Sequence, residues 1–144
     1  MNNLCNVIFY VENVAQTIAF YEKAFGLSRS FIDETGNYGQ LETGRTALGF
    51  ASFELGKMNL GAAFRPYTKS APVAGMEIAI SSTTLAETIA QAIAAGAELI
   101  TPAEKKPWGQ TVAYMRDPNG ILIEICTPMA AACHAADEID SCCH

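Results

Sequence analysis

LCNVIFYVENVAQTIAFYEKAFG (residues 4–26) and MEIAISSTTLAETIAQAIAAG (residues 76–96) follow one plan. Each opens on an apolar run of β-branched and aromatic residues that reads as a strand. In the first, Asn13 then starts a helix, with Gln16 three residues on in a capping-box pattern. Val14, Ile18, Tyr21 and Phe25 fall on one helical face, and Gly26 stands where the helix stops. In the second, Thr84 and Glu87 repeat the cap, Leu85, Ile89 and Ile93 mark the buried face, and Gly96 ends the helix. Asn6 precedes the first cap by seven residues and Glu77 precedes the second by seven; cap-to-glycine distances are thirteen and twelve. Self-similarity at this spacing identifies an internal repeat.

Strand-like pieces separated by turn residues follow each helix. In the first half they are residues 27–32, 38–42 and 47–54, broken by ETGN and TGR. In the second they are 97–101, 110–115 and 121–126, with the turn Asp117-Pro118-Asn119-Gly120 before the last. Each half is therefore βαβββ, and the fold class is α+β. Module one is 1–64, the Pro-containing linker RPYTKSAPVAG is 65–75, module two is 76–128, and an Ala/Cys-rich acidic tail fills 129–144.

Composition narrows the function. The 144 residues are 50% hydrophobic, and nine Lys and Arg against fifteen Asp and Glu give a net charge of −6. Mean hydropathy is +0.16, enough for a real core in a chain this short. Nucleic-acid binding needs concentrated positive charge, and no basic cluster exceeds Lys105-Lys106. The longest charge-free stretch, residues 125–136, falls well short of the roughly 20 apolar residues of a membrane span. No basic segment precedes the first apolar run, so no secretory leader is expected. Five cysteines without scaffold spacing fit free thiols in a reducing compartment. The expectation is a soluble cytoplasmic protein.

With FYEKAFGL (residues 20–27) in the first helix and PWGQTVAYMRDPNGILIEI (residues 107–125) near the end, the chain resembles the vicinal oxygen chelate superfamily. That group includes glyoxalase I, extradiol dioxygenases, and fosfomycin and bleomycin resistance proteins. The resemblance covers residues 4–128 and rests most on RDPNG-x-x-x-E. It implies paired βαβββ modules curling as a mostly antiparallel, cup-shaped sheet, a homodimer, and, in metal-dependent members, ligands on the first and last strand of each module. The scaffold hosts unrelated chemistries, so activity has to be read from the site.

Mapped onto this chain, the family's inward quartet falls on Asn6, Phe50, Glu77 and Glu124, with Phe50 placed by superposing the two halves on their hairpins. A phenyl ring ligates nothing, and Asn6 offers only a neutral amide. Zinc, nickel and non-heme iron sites need imidazole, thiolate or several carboxylates. Both histidines lie in the tail. The expectation is a metal-free cup with no cofactor. The alternative is a weakly held divalent ion on Glu77 and Glu124.

Glu124 shares a strand face with Leu122 and Cys126; Glu77 shares one with Ala79 and Ser81. Two carboxylates in a partly apolar pocket raise each other's pKa, the usual preparation of a general acid or base. In glyoxalase-like relatives the last-strand glutamate moves protons, which the resemblance carries to Glu124, with Glu77 beside it. The plainer alternative has both glutamates in a structural network or holding a cationic ligand. Strand parity nominates Tyr10, Phe50, Ser52 and Tyr114 as pocket walls. Trp108 either stacks on a planar ligand or seals the module edge. Arg116 and Asp117 are expected to serve the turn. Cys5 and Cys126 read as small buried hydrophobes. The tail's Cys133, His134, Cys142, Cys143 and His144 form a possible thiophilic-metal site of non-standard spacing.

The expected function is therefore metal-independent binding of a planar or cationic small molecule, of the bleomycin-resistance kind. The rival is a glyoxalase-like lyase or isomerase, or a dioxygenase-type enzyme, with Glu124 as proton shuttle.

Overall fold

Strand β1 (Asn6–Val11) alternates as its sequence requires: Phe9 and Val11 are buried, while Asn6, Ile8 and Tyr10 turn to the opposite face. The computed structural model describes residues 1–129. Helix α1 (Val14–Phe25) begins where Asn13 Oδ1 accepts the Gln16 N–H at 2.9 Å. It ends at Gly26, whose φ of 68° suits only a residue without Cβ strain. Val14, Ile18, Tyr21 and Ala24 form its buried face.

Strands β2 (Ser28–Ile32), β3 (Tyr38–Glu42) and β4 (Ala47–Ser52) complete a sheet of order β1-β4-β3-β2, with β1 and β4 parallel and the other pairs antiparallel. Module two repeats this with β5 (Glu77–Ser81), α3 (Leu85–Ala95), β6 (Glu98–Lys105), β7 (Thr111–Arg116) and β8 (Leu122–Cys126), in the order β5-β8-β7-β6. The fold is α+β, two four-stranded mixed sheets each backed by a helix. Among the described residues no strand pairing joins one sheet to the other.

Five local expectations change; Cys5, read as buried, is exposed just ahead of β1. Residues 47–54 are not all strand: Ser52 caps a helix α2 (Phe53–Leu60), its hydroxyl accepting the Leu55 N–H at 3.0 Å, and a single 3-10 turn (Gly61–Ala63) follows. A hydroxyl at that point satisfies a helix-end N–H and stops the strand. Thr84 makes no side-chain cap; the Ser82 hydroxyl accepts the Thr84 N–H at 3.0 Å instead. Ile93 is exposed, and its neighbour Ala92 is the residue of α3 that is fully buried. β6 runs on to Lys105 through two register shifts that accommodate Pro102.

The modules lock through the Asp117–Gly120 turn. The buried Tyr21 hydroxyl donates to Asp117 Oδ2 at 2.9 Å, and Asp117 Oδ1 accepts the N–H groups of Asn119 (2.8 Å) and Ile121 (2.9 Å). Asn119 Nδ2 donates to Thr17 Oγ1 at 3.0 Å, and Gln91 Nε2 to the Lys23 carbonyl at 2.7 Å. Burial pushes the Tyr21 phenol well up, reinforced by the Asp117 charge; burial also pushes Asp117 up, against the hydrogen bonds that pull it down. Arg116 serves the turn through Nε to the Gly120 carbonyl (3.0 Å) and reaches the linker through Nη1 to the Ala71 carbonyl (2.9 Å). Among the described residues no helix is long and apolar enough to cross a membrane.

Candidate functional site

With α1 and α3 packed on one face of their sheets, the other faces are open to solutes. On that face of module two, Ala79 and Tyr114 both stand beside Glu124 in register, and Glu77 lies two residues before Ala79 on the same side. The carboxyl groups of Glu77 and Glu124 are thus neighbours on one face of the β5–β8 pair. Burial raises the pKa of Glu77, and the neighbouring Glu124 carboxyl and its charge add to it. Burial and a like charge both favour the protonated form of Glu77, the condition that prepares a carboxyl for proton transfer.

Its neighbours stay protonated. Burial first, then the charges of Glu124 and Glu77, push the Tyr114 phenol up. Burial, then Glu124, pushes the Cys126 thiol up, and Sγ contacts the Ile80 carbonyl at 3.8 Å. A thiol held away from its thiolate is no nucleophile. The chemistry open to this face is proton transfer, hydrogen bonding and attraction of a cation.

Module one superposes by register. Glu124 pairs with Ala79, two residues after Glu77; the matching partner of Ile8, two residues after Asn6, is Gly49. The fourth position is therefore Gly49, and the placement of Phe50 is corrected. Phe50 faces the opposite way, fully buried and stacked on Tyr21 with ring centroids 5.2 Å apart. The β3–β4 connection has four residues (43–46) and the β7–β8 connection five (117–121), so hairpin superposition slips by one residue. A one-residue slip exchanges the faces of a strand.

Gly49 is small because a side chain occupies its space. A Cβ there would lie 2.5 Å from the Tyr38 hydroxyl oxygen. That hydroxyl accepts from Asn6 Nδ2 at 3.0 Å and donates to Gln40 Oε1 at 3.1 Å. Gln40, opposite Gly49, holds the place of Tyr114 in module two. Tyr38, Gln40 and Gly49 escaped the sequence reading; the equal offsets from Asn6 and Glu77 were the signal that leads to them.

The other candidates scatter. Ser52 is no pocket wall: besides capping α2, it donates to Asn37 Oδ1 at 2.8 Å. Tyr10 meets Phe64 edge-on at 5.1 Å, under the segment that follows α2. Trp108 sits at the exposed tip of the β6–β7 hairpin, its Nε1 donating to Gln110 Oε1 at 2.8 Å, beyond the Val112–Cys126 end of the sheet. The structure brings Glu77, Glu124 and Tyr114 together, and Asn6 with Tyr38 and Gln40. An open groove of about 440 Å³ runs between β1, β4 and β5, lined by Val7, Phe9, Leu48, Ile78 and Ile80 and reaching Glu77. A larger depression of about 830 Å³, over α1 beside Pro118 and Asn119, lies on the helix side and does not touch the carboxyl pair.

The family's metal does not fit these residues. Asn6, Gly49, Glu77 and Glu124 supply two carboxylates, one amide and no imidazole or thiolate, and the Tyr38 phenol fills the fourth ligand's space. Among the described residues no three His, Cys, Asp or Glu side chains cluster for a metal. The tail cysteines and histidines lie outside the described residues.

Comparison with known proteins agrees with this architecture. A glyoxalase/bleomycin resistance protein/dioxygenase family enzyme from Burkholderia phytofirmans PsJN is similar at a TM-score of 0.72 and 21% identity, covering 89% of this chain and 100% of that one. A glyoxalase-related enzyme from Fulvimarina pelagi gives 0.74 and 21%, covering 89% of each chain. TioX from Micromonospora sp. ML1 gives 0.61 and 21%, covering 89% of this chain and 100% of that one. At these identities the likeness shows the fold alone. Among curated proteins none matches the sequence. Residues 4–125 match the glyoxalase/bleomycin resistance protein/dioxygenase superfamily, and the chain belongs to it.

Proposed function

We propose that this protein is a metal-independent small-molecule binder whose second module holds a planar cationic ligand on the Glu77–Glu124 pair. The observation that carries this reading is the placement of Glu77 and Glu124 side by side on one sheet face, with Tyr114 and Cys126, both held protonated, on the same face. A cation arriving there meets two carboxyl groups that can ionise to neutralise it, and the Tyr114 ring beside Glu124 offers a flat body a surface to lie against. A homodimer is part of the reading: Met76, Ile93, Leu99 and Ile100 are exposed apolar side chains of module two that a second copy would cover.

Benzamidine, a flat cation, tests it by calorimetric titration of the full-length protein. Saturable one-site binding that weakens about tenfold in Glu124→Gln is expected, in line with the loss of one charged hydrogen bond. Absence of binding, or equal binding by the variant, overturns it.

The second reading is an enzyme of lyase or isomerase type, supported by the raised Glu77 carboxyl beside Glu124 and Tyr114. Glu124 would move the proton at a substrate carbon and Tyr114 would donate a hydrogen bond to the developing oxyanion. Turnover abolished by Glu124→Gln with the fold intact supports it; stoichiometric uptake of ligand without product supports the binder.

A further inference from the structure

Where the second module carries Glu77 and Glu124, the first carries amides and a phenol, with Glu42 farther along β3 on the same face, and these polar groups form a chain with two free ends. Tyr38 Oη is committed, accepting from Asn6 Nδ2 (3.0 Å) and donating to Gln40 Oε1 (3.1 Å). Asn6 Oδ1 and Gln40 Nε2 engage no other group among the described residues, which leaves one acceptor and one donor on either side of the phenol. Reversing the hydroxyl and both amides exchanges the two ends and still leaves one of each. Ile8 (43% exposed) and Phe31 (44% exposed) flank this chain, with the Phe31 ring 5.8 Å from that of Tyr38. Gly49 is what admits the phenol to this position.

We propose that the Asn6–Tyr38–Gln40 chain, flanked by Ile8 and Phe31, is a recognition subsite for a neutral planar carboxamide or lactam. Such a group carries N–H donor and C=O acceptor capacity in a single plane, complementary in kind to the two free ends. A carboxylate would leave the acceptor end facing a like acceptor and would meet the like charge of Glu42 on the same strand face. The ring of an aromatic amide lies against Phe31 and Ile8. The subsite rests on the reading of these faces as ligand-binding surfaces and adds the chemical class that the first module selects.

Benzamide, benzoate and benzamidine separate the claims when each is titrated into the full-length protein and followed by amide chemical shifts. Benzamide is expected to bind at least about fivefold tighter than benzoate, with shifts centred on β1 and β3. Tyr38→Phe and Gln40→Leu are each expected to weaken benzamide by about fivefold, the worth of one hydrogen bond. Gly49→Ala serves as a second route, since its methyl group displaces the phenol. Circular dichroism confirms that each variant is folded. Equal affinity for benzamide and benzoate overturns the proposal, as does benzamide binding indifferent to Tyr38→Phe and Gln40→Leu. A sedimentation result in which these substitutions change only self-association, with no benzamide contact, assigns the face to a second copy and also overturns it. The benzamidine response to Glu124→Gln is read separately, so failure of the cation site and failure of the amide subsite are told apart.

Discussion

Opposite Gly49 in the first module stands Gln40; at the matching place opposite Glu124 in the second stands Tyr114. One topology and one register thus carry two chemistries. The first module has glycine backbone where the second has a carboxylate, and a phenol fills the gap, giving a neutral donor–acceptor chain. The second carries two carboxyl groups on neighbouring strands, and burial together with the charge of Glu124 raises the pKa of Glu77. A repeat fixes where side chains stand relative to one another, while the identity of a few inward residues decides what each half can hold.

The sharpest way to break this comparison is at Phe50. Its fully buried ring stacks on Tyr21, so Phe50→Ala is expected to destabilise the protein by about 3–5 kcal/mol, read from a denaturant midpoint. A small stability change accompanied by lost ligand binding would return Phe50 to the ligand-binding face and Gly49 to the core.

Next is the turn that joins the modules. Asp117→Ala strands the Tyr21 hydroxyl and two backbone N–H groups, an expected loss of about 2–3 kcal/mol. The pH dependence has a definite sign. Asp117 is pushed above its unfolded value, so its contribution is fully present below about pH 3.9 and is lost as the pH rises through the folded pKa. Asp117→Asn, which does not titrate, is expected to remove that downward slope from a plot of stability against pH. An unchanged slope would assign it to another group.

Gly49→Ala follows in size. Its Cβ meets the Tyr38 hydroxyl at 2.5 Å, and overpacking of this kind typically costs about 1–3 kcal/mol. Retained stability together with an unmoved Tyr38 ring signal would show that the two modules are not distinguished at this position. The smallest effects are local. Carbon-detected titration is expected to place the Glu77 carboxyl above the ordinary glutamate range, and Glu124→Gln to bring it back down by removing the like charge. Trp108→Ala, at an exposed hairpin tip, is expected to change stability by no more than about 0.5 kcal/mol.

Much of this contrast was legible in the residues. The helix boundaries followed from Asn13, Gly26 and Gly96, where capping chemistry and positive φ leave few alternatives. The carboxyl pair followed from strand alternation, because Glu77 and Glu124 each sit among residues of clear parity. Helix α2 stayed hidden: Ser52 and Phe53 extend an apolar run that reads as strand until the Ser52 hydroxyl is seen to cap. The fourth position of the quartet stayed hidden because the two closing hairpins differ in length, and parity cannot be carried across an unequal turn. The Tyr38 chain depends on a diagonal approach to Gly49 that no local pattern encodes. Ile93 misled for another reason: its periodicity is helical, but Ala92 is the residue buried in α3, and Gln91 beside it reaches the Lys23 carbonyl of α1.

Metal content tests the account most directly. The full-length protein and the Glu77→Gln/Glu124→Gln double variant, both purified without chelator, are compared by elemental analysis, which separates the sheet faces from any uptake elsewhere in the chain. The expected result is the same metal content in both. Near-stoichiometric manganese, iron, nickel or zinc that disappears in the double variant would contradict the reading of Asn6, Gly49, Glu77 and Glu124 as a set that holds no metal.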